Sequence, residues 1–327
     1  MEQTDRPTLL SDRLWTLTDG HAGNVRQASA LAGALEAAPH EALVLRTSAP
    51  WRWWAPRRLP GDTGAFGSAF RAALAAPPRL AIGCGRQAAL ATRMLRAAGS
   101  RVVQILDPRL DPSLWDWVIA PAHDGLAGAN VLTVQGGLNP IDDAWLAQAR
   151  SGFAAFADLP GPRTAVLLGG SSAHARFDRN AFEVLAGRLE AMLARDGGSL
   201  LITASRRTDA QVRDALRHRF VETPGLTWID DADGPNPYPG LLAWADRIVC
   251  SPDSVNMISE ACATRVPVFV FDPPRVSGRP RRFLDALLAS GRIRAMDGKL
   301  APFAVEPLRE TARVAGLLRE RLGGSVG

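Results

Sequence analysis

Lysine is almost absent from this 327-residue chain. Lys299 is the only one, and the basic excess behind the net charge of +5 is carried by arginine. A P-loop, which needs a lysine on the phosphates, is excluded, and a Schiff-base enzyme is disfavoured. Cysteine is scarce too. Cys84, Cys250 and Cys262 stand in apolar surroundings without metal-ligand spacing, so they read as reduced core residues. The five histidines form no H-E-x-x-H pair, which argues against a zinc site. Hydrophobic runs are short and broken by Arg, Pro or Gly, and none reaches the length of a membrane span. Residues 1–7 are polar and acidic with no apolar signal core, so the expectation is a soluble, cytoplasmic protein. Zinc-finger, helix-turn-helix and RNA-recognition signatures are missing, so no nucleic acid is expected as a partner.

What is present is apolar residue in abundance. At 46% hydrophobic and 22% charged the chain can bury a large core, and its length suits two domains. Short apolar runs at 14–18, 42–45, 80–83, 101–106, 117–120 and 131–134 read as strands, with an Ala/Leu helix at 25–37 and another from Gly85-Arg86 through 98. A helix over 141–157 precedes Leu159-Pro160-Gly161-Pro162, the expected linker. The alternation then restarts, with strands at 164–168, 199–203, 226–229, 247–250 and 266–271 and closing helices at 281–290 and 306–322. The expected architecture is α/β: two Rossmann-like, doubly wound domains facing a cleft, at 1–158 and 159–305, with a closing helix at 306–327.

The richest stretch is 240–272. A strand ends in Ser251-Pro252-Asp253-Ser254, which starts a helix carrying Ser259 and Glu260. Free N–H groups at such a helix start suit an anion, and a glutamate two turns in suits a pair of sugar hydroxyls. Gly169-Gly170-Ser171-Ser172 follows another strand and is either a close approach for a diphosphate or an ordinary tight turn. In Ser205-Arg206-Arg207-Thr208 the hydroxyls cap the next helix or the arginines clamp phosphate. Asn236 and Tyr238 face the cleft or cap a short helix.

In the first half, Asp19-Gly20-His21-Ala22-Gly23-Asn24 offers Asp19 and His21 as general bases, with Asn24 and Gln27 on the first helical turns. Arg86, Asp107 and Arg109, with His123 as a weaker member, sit at further strand ends. They either serve an anionic acceptor or pair locally. Trp51, Trp53 and Trp54 with Arg57 and Arg58 form a cationic aromatic stretch. It suits a bilayer interface, or else its rings pack beneath a loop. Residues 275–282 read as a solvated loop.

With these residues in place the chain resembles the bacterial members of the mitochondrial-fission (elongated-mitochondria) family. The resemblance rests on Thr18-Asp19-Gly20, on Asp107-Pro108-Arg109-Leu110-Asp111-Pro112 and on Pro121-Ala122-His123-Asp124. It continues through Gly169-Gly170-Ser171, Ser205-Arg206-Arg207-Thr208 and Asn236-Pro237-Tyr238, then Leu242-Ala243-Trp244-Ala245-Asp246 and 253–261. A more distant resemblance, to the donor half of GT-B glycosyltransferases of the lipid-linked peptidoglycan type, implies roles. Gly170 and Ser171 would meet diphosphate, Ser254 phosphate or sugar, and Glu260 ribose. Where those enzymes have two adjacent glycines, this chain has Pro252-Asp253-Ser254.

The combined expectation is a metal-independent, inverting transferase that takes a nucleotide sugar as substrate and needs no cofactor. Its acceptor would be a cell-envelope glycolipid or saccharide, and the protein would be peripheral at the inner membrane. Two alternatives stand beside it. One is a non-catalytic recruitment protein on the same fold. The other is a nucleoside-diphosphate-sugar epimerase, a label loosely attached to the family. It fits less well because the chain has no G-x-G-x-x-G turn after its first strand and no Tyr-x-x-x-Lys pair.

Overall fold

A computed structural model describes residues 14–35 and 40–323. The chain divides into two compact domains: residues up to Pro140 together with those from Glu310 onward, and Ile141–Arg309. The first contains β1 (Leu14–Thr18), α1 (Ala22–Ala34), β2 (Glu41–Val44), α2 (Trp51–Trp54), α3 (Gly67–Ala73), β3 (Leu80–Cys84), α4 (Arg86–Ala97), β4 (Arg101–Ile105), β5 (Trp117–Pro121) and β6 (Val131–Val134). The second contains α5 (Asp143–Gly152), β7 (Arg163–Leu168), α6 (Arg179–Asp196), β8 (Ser199–Ala204), α7 (Ala210–Arg219), β9 (Gly225–Trp228), α8 (Tyr238–Trp244), β10 (Arg247–Cys250), α9 (Val255–Cys262), β11 (Val268–Val270), α10 (Gly278–Ala289) and β12 (Ile293–Ala295). Helix α11 (Glu310–Gly323) closes the chain.

Each domain holds one six-stranded parallel sheet, ordered β2-β1-β3-β4-β5-β6 in the first and β12-β11-β10-β7-β8-β9 in the second. Parallel strands are covered on both faces, which is why they read as continuous apolar runs. Along β7, Ala165 and Leu167 enter one core while Val166 and Leu168 enter the other, the two-residue alternation of an extended chain. Helices α6 and α9 then pack on opposite faces, Phe182 and Leu185 in one core, Ile258 and Ala261 in the other. The winding therefore reverses between β7 and β10. In the first domain it reverses between β1 and β3, with α1 and α4 on opposite faces. At such switch points the carboxyl ends of neighbouring strands diverge and leave a crevice.

The domain boundary differs from the sequence expectation. It falls at Pro140, before the Pro-Gly linker, because α5 and the turn after it pack on α8: Trp145, Leu146 and Phe156 join the second core. The last helix returns to the first domain, where Val314, Ala315 and Leu318 are fully buried with Leu31. Helix α1 runs over 22–34 rather than 25–37; residues 36 and 37 lie outside the described ones. Residues 278–289 are helix, not loop, with Pro280 tolerated in the first turn.

Arg247, at the start of β10, donates to Asp196 Oδ2 from both terminal nitrogens (3.1 and 3.2 Å) and so ties β10 to the end of α6. Hydrogen bonds from Arg195, opposed by burial and helped by Arg247, pull the Asp196 pKa down to about 2. A depressed carboxylate stabilises the fold above its unfolded value and loses that contribution as pH falls through its folded value. The stability gap between the native chain and Asp196→Asn should therefore be constant above roughly pH 5 and close between about pH 4 and pH 2. Urea melts across that range measure it.

Candidate functional site

The second switch point is stitched by side chains of the β10 turn. The Gly169 N–H donates to Ser251 Oγ (2.7 Å) and the Gly170 N–H to Asp253 Oδ2 (2.6 Å). Burial pushes the Asp253 carboxyl up, against the pull of Ser251, the Gly170 N–H and Arg207, whose guanidinium lies 3.5 Å away. A β-carbon on Gly169 would lie 2.0 Å from Asp253 Oδ2, and one on Gly170 would lie 2.0 Å from the Arg207 carbonyl oxygen. Protein packing thus demands these glycines, and a carboxylate of the chain itself already sits on the Gly170 N–H. Ser171 and Ser172 accept from the N–H groups of Phe177 (3.0 Å) and His174 (3.2 Å), so both order their own turn.

Thr208 closes the neighbouring turn by donating to the carbonyls of Leu168 and Gly169, while Ser205 Oγ accepts from the Arg207 N–H (3.2 Å). Neither hydroxyl caps α7. That role falls to Asp209, which accepts from Gln211 (2.8 Å). Arg206 and Arg207 are left at the exposed rim.

Helix α9 supplies the remaining donors. Ser254 caps it, accepting from the Met257 N–H (3.5 Å), which leaves the Val255 and Asn256 N–H groups without partners within the helix. These are the free helix-start N–H groups that the Ser251–Ser254 turn led the sequence to expect. At the other end Arg292 is buried and donates to the carbonyls of Cys262 (3.0 Å) and Thr264 (2.8 Å), placing positive charge at the negative end of the dipole. Ser259 is committed to the Val255 carbonyl (2.7 Å). Glu260 is buried at 2% exposure and accepts a hydrogen bond from the Tyr238 hydroxyl (2.5 Å). Asn236 accepts from the Tyr238 N–H (2.9 Å), a local turn that sets the start of α8.

The first switch point joins other predicted residues. Asp19 Oδ1 accepts from Asn24 Nδ2 (2.9 Å) and the His21 N–H (3.1 Å), and His21 Nδ1 lies 3.0 Å from it. Burial would raise the Asp19 pKa, but the Asn24 and His21 hydrogen bonds outweigh it and hold the carboxyl below its ordinary value. Asp19 is therefore a weak base and a good orienting group, whereas the His21 side chain is 79% exposed. Gly85 packs against this pair: a β-carbon there would meet Asn24 Nδ2 at 2.7 Å. Gly20 takes a positive φ of 80° in the turn.

Other first-domain candidates are engaged within their own domain. Gln27 is buried and accepts from the Leu138 N–H (3.3 Å). Asp107 pairs with Arg109 two residues on (3.1 Å), and His123 is half-buried in its own turn. Arg86 turns away to hold the carbonyls of Trp53 (3.2 Å) and Arg52 (3.0 Å).

That contact anchors the tryptophan stretch, which is helical in α2. Trp51 packs on the core beneath it, while Trp53 (62%) and Trp54 (55%) are exposed beside exposed Arg52 and Arg57. Arg58 belongs to a different contact, a 2.5 Å bond to the buried carboxylate of Asp62.

Elsewhere, a cavity of about 180 Å³ lined by Leu216, Phe220 and Leu226 sits at the amino ends of β8 and β9, the wrong edge for these groups. Among the described residues no cluster of three or more His, Cys, Asp or Glu side chains is arranged to hold a metal. No described helix is long and apolar enough to cross a membrane.

The model of the family "Mitochondrial fission ELM1" matches residues 22–322. The chain belongs to this family. Mitochondrial fission protein ELM1 of Arabidopsis thaliana is 31% identical over 275 residues, covering 75% of this chain, and the chain spans 64% of that relative's length. The ELM1-family chain also shares its fold with solved GT-B proteins. MurG of Acinetobacter baumannii matches with a TM-score of 0.51 at 15% identity, over 95% of this chain and 92% of that one. The UDP-GlcNAc 2-epimerase of Neisseria meningitidis, solved bound to UDP-GlcNAc, matches with a TM-score of 0.55 at 13% identity, over 95% and 99%. A 2-epimerase on this fold changes one inference. The missing G-x-G-x-x-G turn and Tyr-x-x-x-Lys pair do not by themselves set an epimerase aside.

The glycines offer a direct check on the ELM1-family site. Gly170→Ala should cost about 1–3 kcal/mol in stability by forcing the Arg207 turn aside. Gly187→Ala, inside α6 with open space around its α-carbon, should instead add up to about 1 kcal/mol. Urea denaturation of the two variants measures both.

Proposed function

We propose that this chain is a GT-B-type glycosyltransferase that moves a sugar from a nucleotide-sugar donor to a cell-envelope acceptor, without a metal and with inversion. The observation that carries this is the second switch point, where the α9 N-terminus, the rim arginines and buried Glu260 stand together. The Val255 and Asn256 N–H groups suit a diphosphate, Arg206 and Arg207 its remaining charge, and Glu260 the ribose. Neighbours of the same fold solved with UDP-sugars support a nucleotide sugar as the ligand. In the reaction an acceptor hydroxyl attacks the sugar's anomeric carbon and gives its proton to His21, oriented by Asp19. The bond to the nucleoside diphosphate breaks, and its electron pair leaves on the phosphate, where the helix N–H groups and arginines meet the charge. One displacement inverts the centre.

Titration with UDP, GDP, CMP, ADP and dTDP should raise the melting temperature for one nucleotide family, and Glu260→Ala should abolish that rise. His21→Ala should keep the nucleotide response and lower turnover by about 10²–10⁴. Conversion of the donor sugar without any acceptor would mark the epimerase reading instead. A chain that answers no nucleotide would instead fit the non-catalytic recruitment reading.

The acceptor is proposed to be lipid-linked, reached through α2. Trp53 and Trp54 suit the headgroup layer, and Arg52 and Arg57 suit anionic lipid. In co-sedimentation, vesicles containing phosphatidylglycerol should bind the chain and pure phosphatidylcholine vesicles should bind it less. Replacing Trp53 and Trp54 with Ala should weaken the binding roughly tenfold or more. Equal binding by the variant would remove α2 as the contact.

A further inference from the structure

Glu260 is the carboxylate that the proposed donor site needs, yet at 2% exposure no ligand reaches it in this arrangement. The group in the way is identifiable. The Tyr238 hydroxyl donates to Glu260 Oε2 at 2.5 Å. To a carboxylate a phenol hydroxyl and a ribose hydroxyl are the same partner, an O–H donor on a carbon frame.

We propose that the Tyr238 hydroxyl is a resident stand-in for a ribose hydroxyl on Glu260, and that nucleotide binding exchanges one for the other. The inference rests on the reading of Glu260 as the ribose carboxylate and adds the residue that sets its selectivity. Glu260 is the fixed member of the pair. It lies between Ile258, Ala261 and Cys262, all at 0% exposure, on a helix capped at both ends. Tyr238 is the movable member. It is half-buried at the edge of the second core, at the first position of the short helix α8 between Pro237 and Pro239, and its own N–H donates to the side chain of Asn236. Swinging the ring outward about its side-chain torsions breaks no backbone hydrogen bond of the sheet or of α9.

Selectivity follows from the exchange. Once Tyr238 leaves, Glu260 has lost the hydrogen bond from the phenol, and a ligand that presents a hydroxyl there restores it. The pocket then favours ribonucleotides over dideoxyribonucleotides. Removing the stand-in raises affinity, because the free state loses its bond to Glu260 while the bound state is unchanged.

The test uses Tyr238→Phe, which keeps the ring and deletes the hydroxyl. UDP, GDP and ADP with their 2′,3′-dideoxy counterparts are titrated calorimetrically into the native chain and the variant. The native chain should discriminate against the dideoxy forms, and the variant should bind the ribonucleotide roughly tenfold more tightly, the worth of one hydrogen bond to a charged group. Unchanged or weaker binding in the variant would overturn the exchange while leaving the donor site standing. No binding by either protein would overturn both.

A second readout needs no variant. Tyr238 is the chain's single tyrosine, so ring-labelled ¹³C-tyrosine gives one set of resonances. Saturating ribonucleotide should move them and the dideoxy form should not. An unmoved signal at saturation would contradict the exchange.

Discussion

The pair of hydrogen bonds from the Gly169 and Gly170 N–H groups to Ser251 and Asp253 is the constraint on which the second domain's site depends. Those bonds hold together the carboxyl ends of β7 and β10 where the winding reverses. With Asp253 in place, residues 169 and 170 must be glycine, because any β-carbon would collide with the carboxylate or with the Arg207 carbonyl. The next residue, Ser254, then caps α9 and presents its first N–H groups at the same edge. The Pro252-Asp253-Ser254 departure from the two-glycine pattern therefore has a physical meaning: a carboxylate replaces bare backbone and fastens one turn to the other.

The first domain uses a related device at its own reversal. Asp19 receives hydrogen bonds from Asn24 and from the His21 backbone, and Gly85 makes room for the cluster. The carboxylates differ in character. Burial dominates at Asp253 and pushes it up; at the less buried Asp19 the hydrogen bonds outweigh burial and hold it down. One acts as structural mortar, and the other fixes the orientation of an exposed histidine. In α9, Ser254 at the start and Arg292 at the end satisfy both termini, so the helix can carry a buried glutamate in fixed register.

Much of this was legible in the sequence, for a physical reason. Strands covered on both faces must be largely apolar, so Leu14–Thr18 and Arg247–Cys250 stand out with their observed bounds. The three-residue strand Ile293–Ala295 did not, since two of its residues are exposed and nothing in its pattern marks it. The helix at Trp51–Trp54 was hidden because four residues carry no period, and its anchor, Arg86, comes from 33 residues away.

The return of the last helix to the first domain, through Thr311 on Asn139 (2.7 Å), is a contact across 172 residues that no local reading shows. The site was legible as residue types at strand ends. The role of each depended on its partners, some of them far along the chain. Gln27 is engaged by Leu138 and the Gly-Gly turn by Asp253, both far along the chain, whereas Arg58 finds Asp62 four residues on.

The most direct measurement is a crystal structure of the chain with a nucleoside diphosphate bound. The account predicts phosphate oxygens within hydrogen-bond reach of the Val255 and Asn256 N–H groups, with the ribose on Glu260 and the Asp253–Gly170 bond intact. A nucleotide seated elsewhere, or a phosphate on the Gly170 N–H with Asp253 displaced, would contradict it.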